Sequence, residues 1–128
     1  MVPGLELRSG EDSPRAALSM ARGLLALADP QTAGLWPRAS ALLGCRALES
    51  TVQRLWERRT LDHRGCPMRV QLIFLRTYLG DPDLAGRAGH AWSSLSRACH
   101  HHAYELAPTA TELQGWFSVV ESLIEKVD

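Results

Sequence analysis

The chain has 128 residues, with 14 Lys+Arg against 14 Asp+Glu and 45% apolar side chains. A neutral balance excludes the strongly basic profile that by itself drives sequence-independent nucleic-acid binding, and it equally excludes an acidic disordered tail. A chain of this length buries enough surface to fold as one domain without staples, so any function has to rest on local chemistry.

Cys45, Cys66 and Cys99 are odd in number and lack C-x-x-C pairing, so neither a disulfide framework nor a zinc knuckle is written here. The opening MVPGLELRSGEDSPR carries Glu6, Glu11 and Asp12 where a secretory signal needs a basic and then an apolar stretch. No run of about 18 apolar residues is present either, and the expectation is a cytoplasmic protein with no membrane partner.

Residues 1–12 have no apolar period and are expected to be a flexible lead-in to a single domain over 13–128. Ser13-Pro14 is an N-cap with a first-turn proline, and Ala17, Met20, Ala21, Leu24 and Leu27 recur at helical spacing, which predicts helix one over about 13–28. Pro37 followed by Ala41, Cys45, Leu48, Val52, Leu55 and Trp56 predicts a long helix two over about 35–59. After the turn at Gly65, the apolar run from Val70 to Leu79 has no second strand-like segment to pair with, so a buried helix three over about 67–79, ending at Gly80, is expected. Asp81-Pro82 opens helix four, whose face Leu84, Ala88, Ala91, Leu95, Cys99 and His102 extends it to about Tyr104. Pro108 and the caps Thr109 and Thr111 start helix five, with Leu113, Trp116, Phe117, Val120, Leu123, Ile124 and Val127 on one face. Short connections between such helices predict an all-α antiparallel bundle of four to five helices.

The chemistry concentrates in Arg97-Ala98-Cys99-His100-His101-His102-Ala103-Tyr104-Glu105-Leu106, which holds three of the five histidines. One reading is structural, since cations at a helix C-terminus complement its unpaired carbonyls. A second is a metal site in which Cys99 and His102, three apart, take His63 or His90 as a distant ligand; adjacent His100 and His101 point about 100° apart, so at most two of the run share a metal. A third pairs Arg97, whose guanidinium offers planar donors to a phosphate, with His102, whose ring titrates near neutral pH. In an undistorted helix residues five apart are about 140° out of phase, so Arg97 shares a face with His100 or His101 unless the helix bends.

The spacing R-x4-H from Arg97 to His102, within the stretch LSRACHHHAYELAPTATEL of a small all-helical chain, resembles the HEPN superfamily and looks like a small actinobacterial branch of it. In architecture the resemblance covers about residues 13–127. It implies a bundle that dimerises, and a metal-independent endoribonuclease site at the subunit interface with Arg97 and His102 as the catalytic residues. Metal-free RNA cleavage needs a base for the 2'-hydroxyl, an acid for the leaving 5'-oxygen and a cation for the phosphate; one chain supplies part of this set and a second copy the rest. His100, His101 and Tyr104 beside the pair, and Arg58 from the basic exit of helix two, are the candidate substrate-binding residues. Ala85, Gly86, Ala88, Gly89 and Ala91 form a small-residue surface on helix four through which a two-fold homodimer is expected.

The four tryptophans, at 36, 56, 92 and 116, fall on or beside apolar stripes and are expected in the core, and Arg54, Arg58, Arg59 and Arg64 are expected to form a solvated helix end. No Gly-rich phosphate loop, G-x-S-x-G or H-E-x-x-H occurs, and no cofactor or metal is expected. The expected function is binding of RNA or a nucleotide-containing partner, with endoribonuclease activity through Arg97 and His102. The alternative is a non-catalytic helical module that docks a protein encoded by a neighbouring gene.

Overall fold

The computed structural model describes residues 13–26, 36–100 and 106–128. They form α1 (Pro14–Ala26), α2 (Trp36–Arg58), α3 (Met68–Tyr78), α4 (Pro82–Cys99) and α5 (Ala110–Val127), with no strand among the described residues. Three helix starts are decided by caps that the sequence spells out. The Ser13 hydroxyl accepts the Ala16 N–H at 3.1 Å, and the Asp81 carboxylate accepts that of Leu84 at 3.0 Å ahead of Pro82. Thr109 makes a full capping box with Glu112, each side chain taking the other's backbone N–H. Thr109 alone is the cap of α5; Thr111 lies in its first turn. Gly80 ends the α3 region at φ 76°, a left-handed conformation that a side chain resists.

Helices α1, α2, α4 and α5 run alternately up and down. At one end Arg15 of α1 pairs with Asp128 after α5 at 3.6 Å, and further along Arg22 reaches Glu121 at 2.8 Å, so α1 and α5 are antiparallel. The buried Ser40 hydroxyl donates to the Ala21 carbonyl at 2.9 Å, tying the start of α2 to the end of α1. Helix α2 packs on all four others and, with α5, forms the short diagonal of the bundle. That close approach depends on Gly44: a methyl there would overlap the Phe117 ring and touch Leu95 of α4 at 3.5 Å. Trp56, Leu48, Leu75, Leu95, Leu113, Phe117, Leu123 and Ile124 are the large, fully buried side chains around this centre. No described helix is long and apolar enough to cross a membrane.

Helix α3 lies across α2 and α4 and is pinned by one buried polar link. The indole N–H of Trp56 donates to Gln71 Oε1 at 2.8 Å, and Gln71 Nε2 donates to the Cys66 carbonyl at 2.8 Å. The ring of His63 stacks on Phe74 at 4.8 Å and meets Trp56 edge-on at 4.8 Å.

Two expectations about helix four are corrected by these packing contacts. The helix stops at Cys99 rather than near Tyr104, because His100 leaves helical geometry (φ −103°, ψ 35°) and its N–H closes the last turn onto Ser96 and Arg97. The small-residue surface is mostly occupied by the chain itself: Ala85, Ala88 and Ala91 are buried in its own core, and Gly86 and Gly89 are half-buried.

Candidate functional site

His90, Ser94 and Arg97 occupy successive turns of one face of α4, at spacings of four and three residues. This face looks onto the first turns of α5, and between them lies a groove of about 510 Å³ whose wall is completed by Glu112 and Trp116. His90 and Trp116 also line its continuation of about 420 Å³ toward Asp83 and Arg87. One trough thus runs along the α4–α5 seam, and the half-buried Trp116 ring sits midway along it.

The charges along the trough differ in what they already do. Glu112 is committed to the Thr109 N–H at 3.0 Å, and Arg87 donates to Asp83 at 3.0 Å. Arg97 and His90 are exposed, and their side chains make no hydrogen bond or ion pair with the described residues. Arg97 and the Glu112 carboxylate line the same end of the groove, so it holds one charge of each sign, and of the two only the guanidinium is without a partner among the described residues.

The predicted site residues fall in different places. Arg97 lies in the last turn of α4, and His100 is the exposed residue that caps it. His101, His102 and Tyr104 lie outside the described residues. Arg58 is not beside Arg97: it is 3.8 Å from Asp128, at the far end of the 18-residue α5, a separation of about 27 Å along that helix. Arg54 at 3.5 Å and Arg15 at 3.6 Å share the same carboxylate. Arg59 donates to the Tyr78 carbonyl at 2.9 Å. Arg64 grips Asp62 through Nε at 3.1 Å and Nη2 at 3.2 Å, holding that carboxyl below its usual range. The basic exit of α2 is therefore a set of exposed ion pairs and one carbonyl contact.

The metal grouping is not assembled by its described members. Cys99 is packed against the core, His63 is enclosed by Trp56 and Phe74, and His90 faces the trough. Among the described residues no three His, Cys, Asp or Glu side chains come together as ligands. Sequence reasoning missed Trp116 and His90 as neighbours of Arg97. Trp56 is buried as expected, and Trp36, Trp92 and Trp116 are only partly covered against the core. The signal that was available for Trp116 is its place at the margin of the α5 apolar stripe, one residue before the fully buried Phe117. No protein-family model, curated protein or solved structure matches the chain.

Proposed function

We propose that the chain binds single-stranded RNA along the α4–α5 trough, with Arg97 on a phosphate, His90 beside it and a base against Trp116. The observation that carries this reading is the juxtaposition of an uncommitted guanidinium and a partly exposed indole in one groove. Stacking is sequence-tolerant and a guanidinium forks onto phosphate, so the pair suits a nucleotide chain even though the protein is neutral overall. Cleavage belongs to the same proposal: His102, five residues beyond Arg97, acts as the base, and a second copy of the chain completes the acid and cation roles in a two-fold homodimer.

Fluorescence anisotropy with a labelled oligoribonucleotide at low salt tests the binding. Saturable binding is expected, weakened in Trp116→Ala by the roughly 1–3 kcal/mol of one stacked base, and with a salt slope lowered by about one in Arg97→Ala. Cleavage is expected to survive chelators, to leave 2',3'-cyclic phosphate ends, and to vanish alike in Arg97→Ala and His102→Ala. Loss in His101→Ala with His102→Ala unaffected would transfer the base to His101. Light scattering that returns the 14.1 kDa of one chain removes the dimer and with it the composite site. Failure of the full chain to bind or cut RNA overturns the proposal. One observation favours the alternative, a non-catalytic docking module: Leu106 at the rim of the groove is 97% exposed, an apolar contact that a protein partner would cover.

A further inference from the structure

Asp83, Arg87, His90, Ser94 and Arg97 follow one another at spacings of four, three, four and three residues, so one polar stripe runs along α4 beside α5. From Asp83 to Arg97 it covers about 21 Å of helix. Away from Arg97, the arm of about 420 Å³ is walled by Pro82, Val119 and the half-buried Trp116 ring, with Asp83, Arg87 and His90 as its polar groups. Trp116 and Val119, three positions apart, share one face of α5. A flat ring system needs an apolar wall for its face and polar groups for its edge, and this arm offers both. Asp83 and Arg87 are joined by a single bond, Arg87 Nε donating to Asp83 Oδ2 at 3.0 Å. Asp83 Oδ1 and both Nη groups of Arg87 are left without a partner among the described residues, and both side chains are exposed. The pair therefore presents an edge that accepts on one side and donates on the other.

We propose that this arm is a guanine subsite, in which the base lies against Trp116 and turns its base-pairing edge to the Asp83–Arg87 pair. The inference rests on the reading of the trough as an RNA site and adds to it the base that is preferred. Guanine presents two adjacent donors, N1–H and the 2-amino group, next to the O6 acceptor. The two oxygens of Asp83 accept the first two, and an Nη group of Arg87 donates to the third. Each of these bonds has an ionised partner, which makes it stronger than a bond between neutral groups.

The other bases match this edge less well. Adenine offers its 6-amino donor and N1 acceptor but nothing for the second carboxylate oxygen, and cytosine likewise brings one donor group. Uracil has a single N3–H between two carbonyls, so one of them is set against the carboxylate. Stacking on Trp116 is open to all four bases and contributes affinity, whereas the charged pair contributes discrimination.

Anisotropy titrations of the full-length protein at one low salt concentration test this, comparing a labelled oligouridine with the same oligomer carrying one central guanosine, inosine or adenosine. The guanosine oligomer is expected to bind about tenfold tighter than the oligouridine, within the range of one good bidentate contact. Inosine, which lacks only the 2-amino group, should fall between the two. In Asp83→Asn and in Arg87→Met the ratio of guanosine to uridine affinity is expected to drop toward one, with helix content by circular dichroism reporting that α4 persists. Equal affinity for all the oligomers, a preference for adenosine, or a guanosine preference that survives Asp83→Asn would each overturn the guanine assignment and leave the RNA reading standing. Binding of none of them overturns both.

Discussion

Replacing Gly44 with alanine sets two effects of known sign against each other. In a helix interior alanine is favoured over glycine by about 1 kcal/mol, because less backbone entropy is lost on folding. At this position the added methyl would overlap two ring atoms of Phe117, a fully buried side chain, while Leu95 closes the other side at 3.5 Å. Overpacking of this kind costs about 1–3 kcal/mol. Phe117 is fully buried and its ring is rigid, so the upper half of that range applies, and Gly44→Ala should destabilise the protein by about 1–2 kcal/mol net. In a domain of this size that lowers Tm by roughly 3–10 °C. Urea unfolding followed by tryptophan fluorescence reads the change directly, provided the slope is unchanged. Gly23→Ala in α1 and Gly115→Ala in α5 are the controls: both glycines are exposed, with nothing within 4 Å of a new methyl. They should stabilise by about 0.5–1 kcal/mol through propensity alone. Adding Phe117→Leu to Gly44→Ala should show a favourable coupling, since the clash is then relieved. A Gly44→Ala protein as stable as its parent, or more so, would refute the tight α2–α5 crossing.

Gln71→Leu removes the acceptor of the fully buried Trp56 indole N–H and should cost about 1–3 kcal/mol in urea unfolding; an unchanged midpoint would mean that this N–H is satisfied without Gln71. The Arg22 guanidinium holds Glu121 below its ordinary range, and Arg64 does the same to Asp62. Because these folded-state values are depressed, the stability they contribute is present above the unfolded carboxylate pKa and is lost as pH falls through the folded one. Unfolding midpoints measured from about pH 6 to about pH 2 should therefore fall below about pH 4, and less so in Glu121→Gln.

The candidate site was only partly legible in the sequence. Arg97 was marked by its spacing from the histidines, and it does stand uncommitted on the exposed face of α4. Its partners in the trough were not marked, because His90 is one residue before the buried Ala91 and Trp116 one before the buried Phe117. At such margins a helical period decides neither burial nor exposure; the width of the neighbouring helix does. Arg58 was grouped with Arg97 on charge alone, and charge carries no information about which end of a bundle a residue occupies.

Local chemistry determined the helices. Ser13 before Pro14, Asp81 before Pro82 and Thr109 three residues before Glu112 each satisfy N–H groups within their own first turn, so these starts could be read without knowledge of the rest of the chain. The all-α class followed from the same short-range bonding and from the apolar period. What only the tertiary structure decided was every pairing at long separation. It set Gly44 against Phe117, closed the small-residue face of α4 onto its own core, and brought the Trp92 indole of α4 onto Glu49 of α2. An amphipathic pattern says which face of a helix is buried, but the partner of that face is chosen by the fit of side-chain volumes between helices, a property of the assembled bundle rather than of any one segment.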